Sequence, residues 1–346
     1  MSPEGGRLQA DEIAARARAL HARAHLLDLV CPWIDYPTAP SDRRYGTLER
    51  MAASGYTYVS LTIALDDPDV ERVMTSLVRH RAWVLARPDR YVLAETVADI
   101  ERAKREGKLA IGFHFQGTEP VQRNLDLVEV YHVLGIRAML IAYNQRNAAG
   151  DGCHEADDAG LTPYGRAVVR EMQRVGMLVD LSHTAYRTAR DVLEMGGGPM
   201  IFSHSNPRVL WDHGRNIPDE LAAACAAGGG VVGLNGCGAF LGRNDISTAT
   251  LVRHVDHYVQ RLGAEHVGIG LDYVYDQASW HPYILSTSVG LYLEQADYIA
   301  GEEIRYVAPE QMPELTEGLA RLGYPDEAIL GILGGNWMRV MRAVFR

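Results

Sequence analysis

Met177-Leu178-Val179-Asp180-Leu181-Ser182-His183 and Met200-Ile201-Phe202-Ser203-His204-Ser205-Asn206 are two short apolar runs, each reaching a histidine, and the two histidines are 21 residues apart. An imidazole at the carboxyl end of a buried strand sits where an α/β barrel opens to substrate, and the spacing leaves room for one helix between the strands. The pair therefore suggests metal ligands on consecutive strands. The plainer alternative is two hydrogen-bonded core histidines.

Working outward, apolar runs bounded by turn residues predict strands at Leu26–Val30, Tyr56–Thr62, Leu109–Phe115, Ala138–Asn144, Met177–His183, Met200–Ser205, Gly230–Gly236 and His266–Asp272. Amphipathic segments of helical length lie between most of them: Asp69–Leu85, Thr96–Arg105, Val121–Leu134, Thr162–Val175, Thr188–Met195, Asp219–Ala227 and Thr248–Leu262. Pro218-Asp219-Glu220 opens one of these with a proline and two acids, where a missing N–H costs nothing and negative charge meets the positive end of the helix dipole. Continuous apolar strands separated by helices indicate parallel pairing with both sheet faces covered, and eight such units close a (β/α)8 TIM-type barrel. A doubly wound open sheet is the alternative. The expected organisation is one α/β barrel domain over 1–346, with an N-terminal helix at about 10–25. A C-terminal helical extension at about 309–346, with the turn Gly334-Gly335-Asn336-Trp337, is expected to close the barrel from outside.

The composition is 47% hydrophobic and 23% charged, that of a globular protein, and no apolar run approaches the ~20 residues that span a membrane. Residues 1–25 lack the continuous apolar centre of a secretory signal, so a cytoplasmic location and no membrane partner are expected. Cys31, Cys153, Cys225 and Cys237 form no CxxC pair, which argues against a zinc ribbon or a disulfide framework and leaves plain thiols. A formal charge of −10 without a basic cluster argues against nucleic acid and for a small-molecule substrate.

The predicted strand ends carry unusual chemistry. Strand three ends Gly112-Phe113-His114-Phe115-Gln116, where the period of two puts His114 and Gln116 on one face. Strand four ends in Tyr143-Asn144, strands five and six reach His183 and His204, and strand eight ends Gly268-Ile269-Gly270-Leu271-Asp272. Arg215-Asn216 follow strand six, and a guanidinium there suits a carboxylate fork; otherwise Arg215 pairs with Asp219 on the surface. Two imidazoles, an acid and an arginine suggest a hydrolytic zinc centre in which the metal activates water and Asp272 takes or shuttles its proton. The plainer role for Asp272 is a loop carboxylate capping backbone N–H groups.

The stretches Val179-Asp180-Leu181-Ser182-His183, Phe202-Ser203-His204-Ser205-Asn206, Arg215-Asn216-Ile217-Pro218-Asp219, Gly229-Gly230-Val231-Val232-Gly233 and Val267-Gly268-Ile269-Gly270-Leu271-Asp272 resemble the membrane (renal) dipeptidase family. The resemblance runs from about residue 15 to the carboxyl end. It implies an amidohydrolase-type barrel with a two-zinc centre, with His183 and His204 on the second zinc, Arg215 on the substrate carboxylate and Asp272 beside the first zinc. A homodimer is likewise implied only by the family.

The chain departs from that pattern. The family's strand-one HxD pair falls on Val30 and Pro32 in the ungapped register, or on Trp33 and Asp35 in the shifted one. The bridging glutamate position is Gln116, and the substrate-facing histidine position is Tyr143. A neutral amide lacks the charge that offsets repulsion between two cations, so at most one zinc is expected, on His183 and His204 with Asp272, Gln116 or His114, or none. The expected function is a dipeptidase-like hydrolase of a small amide with a free carboxylate, with Asp272 and Tyr143 catalytic and Arg215, Asn216 and Tyr143 binding substrate. The alternatives are an isomerase or tautomerase using the same pocket, and an inactive ligand-binding homologue.

Overall fold

The computed structural model describes residues 3–34, 41–277, 280 and 303–346, so Asp35 lies outside the described residues. Nine strands are described: β1 (Leu26–Pro32), β2 (Tyr56–Ala64), β3 (Tyr91–Leu93), β4 (Leu109–Phe115), β5 (Ile136–Leu140), β6 (Leu178–Asp180), β7 (Ile201–Phe202), β8 (Val231–Leu234) and β9 (Val267–Ile269). Eight of them pair in the order β1-β2-β4-β5-β6-β7-β8-β9, every ladder parallel. These are the eight predicted strands, in a nearly closed (β/α)8 barrel. The ninth, β3, pairs with residues 109–111 of β4, below the point where β5 takes over from Phe113 onward.

The predicted helices form, with boundaries set by local chemistry. Thr96 and Asp99 make a reciprocal capping box for Val97–Glu106, Thr162 caps Pro163–Val175 through the N–H of Gly165, and Ser247 caps Thr248–Leu262. Pro218 occupies the N-cap of Asp219–Ala227, with two acids in the first turn. Val121–Leu134 divides into a single 3-10 turn at Glu119–Val121 and a helix at Asp126–Val133.

Helices Met312–Arg321, Asp326–Leu330 and Asn336–Val344 supply the C-terminal extension. The last of these does more than cover the barrel from outside. Trp337 and Met338 pack with Leu27, Tyr58, Ala110, Leu178, Ile201 and Val231 from the early parts of the strands, plugging the amino-terminal end. The Trp337 indole donates to Ile269 O at 3.0 Å, which satisfies its N–H in the core. No helix of the described residues is long and apolar enough to cross a membrane. All four cysteines are free thiols, Cys153 half-buried and the other three buried.

Where β9 meets β1, hydrogen bonds to a side chain stand in for a ladder. The Asp28 carboxylate accepts from Val30 N and Leu271 N, both at 3.1 Å, and Asp272 N donates to Val30 O at 3.1 Å. Asp28 is fully buried and its Oδ2 has no hydrogen-bond partner among the described residues. Burial pushes its carboxyl up to about 7, against the lowering effect of the two backbone donors. The folded pKa lies above the unfolded value, so the contribution to stability is fully present below about 4 and is lost as pH rises through about 7. Asp28→Asn keeps an acceptor and abolishes this titration. Its melting temperature relative to wild type is expected to rise steadily between pH 4 and 8 in paired thermal melts, and a constant difference would contradict the assignment.

Candidate active site

The carboxyl ends of the strands open into a small pocket with a cavity volume of about 60 Å³. Its floor is built from residues at or just beyond strand ends: Pro32, Gln116, Tyr143, Asn144, His183 and Asp272. Three of these, Asn144, His183 and Asp272, have φ of 58°, 64° and 57°, a left-handed conformation uncommon for residues other than glycine. Strain of this kind costs roughly 1–3 kcal/mol per residue and collects at functional sites. Glycine makes room beside them, since a Cβ on Gly270 would stand 2.0 Å from Ser203 O.

His183 and His204 meet with their Nε2 atoms 2.9 Å apart. The Nδ1 of His183 faces Asn144 Oδ1 at 2.6 Å, and that of His204 faces Ser203 Oγ at 2.7 Å. An amide oxygen only accepts, so His183 carries its proton on Nδ1 and receives a hydrogen bond at Nε2. His204 is then protonated on Nε2, and Ser203 donates to its Nδ1. Burial first, and Arg215 second, lower both imidazoles well below the usual histidine range, so the pair is neutral near pH 7. Tyr143 stacks on His183 with ring centroids 4.2 Å apart.

Arg215 is only 2% exposed. One Nη donates to His204 O at 3.2 Å, Nε has no partner among the described residues, and Cζ lies 5.2 Å from the centroid of Phe240, a pocket residue. The alternative pairing with Asp219 does not occur, because that carboxylate engages His257 and Arg261. Asp272 accepts from Asn235 Nδ2 at 3.2 Å. Burial raises its carboxyl to about 6, with Arg215 and then Asn235 acting the other way.

Two other sequence candidates fall elsewhere. His114 lies inside the barrel, with Nδ1 on Ser60 Oγ at 2.8 Å and Nε2 on Thr62 Oγ1 at 2.9 Å, and burial lowers it to about 3. Gln116 does share its face, donating to the same Thr62 Oγ1 at 2.9 Å, but it stands one layer higher and reaches the pocket. Two residues along a strand separate such layers by about 6.6 Å. Asn216 braces the loop, donating to Trp211 O and Phe240 O, both at 2.9 Å, and is not among the pocket residues. The sequence reading missed Asn235 and the role of Asn206, whose side chain accepts from Asn235 N and donates to Asn235 O, both at 3.0 Å. Their signal was position, since each is a polar residue ending an apolar strand run.

A nearly closed parallel barrel with histidine, aspartate and arginine at its carboxyl-terminal mouth defines an amidohydrolase-type site. The sequence pattern of membrane dipeptidases, peptidase family M19, matches residues 40–286, and the chain belongs to that family. It is 30% identical over 262 residues, 74% of this chain and 61% of the relative, to dipeptidase verJ of Clonostachys rogersoniana. It thus spans less than two thirds of that relative's length. Its fold resembles that of an amidohydrolase from Pseudomonas aeruginosa, with TM-score 0.80, 26% identity and coverage of 95% of this chain and 99% of the other. A dipeptidase AC metallopeptidase is similar at TM-score 0.76 and 21% identity, with coverage of 93% and 99%.

The family is metal-dependent in general, but the residues here do not fit its two-metal group. Val30 and Pro32 carry no ligand atoms on their side chains, and Trp33 is packed against Tyr45 and Tyr275. The Gln116 amide donates its N–H to Thr62 and offers a neutral oxygen in place of a bridging carboxylate, Asp35 lies outside the described residues, and among the described residues no three His, Cys, Asp or Glu side chains converge as a metal cluster. A buried guanidinium without a carboxylate partner is costly, and replacing it by an apolar chain of similar length removes that cost. Arg215→Met is therefore expected to be more stable than wild type without ligand, by about 1–3 kcal/mol in denaturant unfolding. A destabilised variant would show that the cation already has its counter-charge.

Proposed function

We propose that this chain is a dipeptidase-like hydrolase acting on a small amide that carries a free carboxylate. The observation that carries this reading is Arg215, buried beside the pocket with an unpartnered Nε and no carboxylate ion pair among the described residues. A substrate carboxylate would supply the missing charge and a planar, bidentate partner. Asp272, raised to about 6, then serves as the base that takes a proton from the attacking water, and Asn235 orients it. Burial raises the Tyr143 phenol, which stays protonated and donates a hydrogen bond to the developing oxyanion. The neutral His183–His204 pair sets the position of Tyr143 by stacking.

The donor set supports at most one metal ion per chain, on the two histidines. Elemental analysis of purified protein should give one equivalent of zinc or less, and two equivalents would contradict the proposal. Gln116→Glu adds a negative charge to the pocket floor and should raise zinc occupancy. It should not bring a large gain in dipeptide hydrolysis, because strand one still offers Val30 and Pro32, or at best Trp33 and Asp35, in place of a His and Asp pair.

Arg215→Lys keeps the charge but loses the fork, and binding of the carboxylate substrate should weaken by about 2–3 kcal/mol. Wild type should discriminate the carboxylate from its carboxamide analogue by a similar margin in calorimetric titration, and equal affinities would remove the anchor role.

A second reading has its own support. An acid–base pair, Asp272 and Tyr143, facing one pocket without a two-metal centre suits proton transfer at carbon. Solvent deuterium entering a carboxylate ligand without amide cleavage would favour an isomerase over the hydrolase.

A further inference from the structure

The pocket combines a few polar strand-end groups with a larger set of apolar and aromatic side chains. Gln116, Asn144, His183 and Asp272 lie on its floor, while Leu65, Phe240, Val274, Trp280, Ile304 and Tyr306 form its wall. Several floor groups are already engaged. Asn144 Oδ1 is taken by His183 and Cys153, and the Gln116 amide donates to Thr62. Asp272 is the one carboxylate among the described residues that lines the pocket, and hydrolysis uses it as the base.

A free dipeptide brings a carboxylate and an ammonium. The carboxylate has Arg215, whose guanidinium lies against the Phe240 ring at one end of the wall. An ammonium placed among Leu65, Val274 and Ile304 would lose its water with no carboxylate among the described residues to replace it there, a costly desolvation. An aromatic or bulky aliphatic group there would gain from every apolar neighbour.

We infer that the site takes N-acylated amino acids whose acyl end is aromatic or bulky and apolar, in preference to free dipeptides; this rests on Arg215 holding the carboxylate. The acyl carbonyl belongs to the amide to be cleaved. Water adds to that carbon, the C–N bond breaks, and the products are the carboxylic acid and the free amino acid, with the proton taken by Asp272 returned to the leaving nitrogen. No other reactant is required.

The test compares calorimetric affinities of wild type for benzoylglycine, acetylglycine and the dipeptide phenylalanylglycine. Benzoylglycine should bind about tenfold tighter than either of the others, the gain of burying one ring without an ammonium. Ile304→Asn and Trp280→Ala should each shrink the benzoyl-to-acetyl ratio, with thermal melts confirming that each variant folds. Equal affinities for benzoylglycine and acetylglycine overturn the inference. Tightest binding of phenylalanylglycine also overturns it, and would mean that the rings cage the ammonium.

The neutral probes benzoylglycinamide and acetylglycinamide separate this inference from the anchor role of Arg215. Retained discrimination between these two, with no advantage for the carboxylates, leaves the apolar wall standing and removes the anchor. A benzoyl-to-acetyl ratio of one, with the carboxylate advantage intact, removes only the wall. Failure of all five probes to bind removes both.

Discussion

Closure of the barrel between its last and first strands is the constraint on which the site depends. Seven successive pairings are ladders, but among the described residues the seam from β9 to β1 is made by Asp28 accepting Leu271 N and by Asp272 N donating to Val30 O. A side-chain acceptor can serve a strand that is turning away, where a rigid ladder cannot. That is the geometry required here, since Asp272 leaves β9 with φ of 57° and points its carboxylate into the mouth. Closure and the placing of Asp272 are therefore one event. The cost is a buried carboxyl pushed up to about 7, with one oxygen lacking a partner.

The same exchange of stability for position recurs around the mouth. Asn144 and His183 also leave their strands in the left-handed region, and the hydrogen-bonded line from Ser203 through His204 and His183 to Asn144 ties β7, β6 and β5 together above their short ladders. The β6–β7 pairing has one register pair, so these side chains carry much of the alignment. A core of apolar residues would pack equally well there and align nothing. Buried polar networks are worthwhile when fully satisfied, and this one is satisfied at each imidazole nitrogen.

Much of the fold was legible because buried parallel strands read as continuous apolar runs and their helices as amphipathic ones. The short β3 was not, since Tyr91-Val92-Leu93 is too brief to show a period and is specified by its partner β4. Predicted strand ends overran the ladders: Met200–Ser205 pairs with β8 only at Ile201 and Phe202, because Ser203 N and His204 N donate to the Asp180 and Ser182 side chains beside them. The strand-end rule found His183, Tyr143 and Asp272 at the pocket. It misplaced His114, because alternation identifies a face but not a depth. Asn235 also ends an apolar run, but the position alone does not reveal its contacts with Asn206 and Asp272, residues far from it in sequence.

The departures from the family pattern form a consistent set when charge is counted. Two metal cations in a buried site need anionic ligands around them, and a chain that lost the cations while keeping those carboxylates would bury unpaired negative charge. Here the bridging position is the neutral Gln116, strand one offers Val30 and Pro32, and Trp33 has joined the aromatic core. Among the described residues, the neutral side chains at the bridging and strand-one positions match the absence of a clustered set of anionic ligands. Arg215 answers to a different partner. On the proposed reading its counter-charge would arrive with the substrate, so its burial would be unfavourable only without ligand and that destabilisation would be recovered when a carboxylate binds. Asp272, the one carboxylate on the pocket floor among the described residues, is held in the field of that same guanidinium, which opposes the upward push of burial on its carboxyl. On the proposed reading, seating a carboxylate on Arg215 would weaken that opposition and raise Asp272 toward neutral pH, where the gain in basicity is set against the fraction of the carboxyl already protonated.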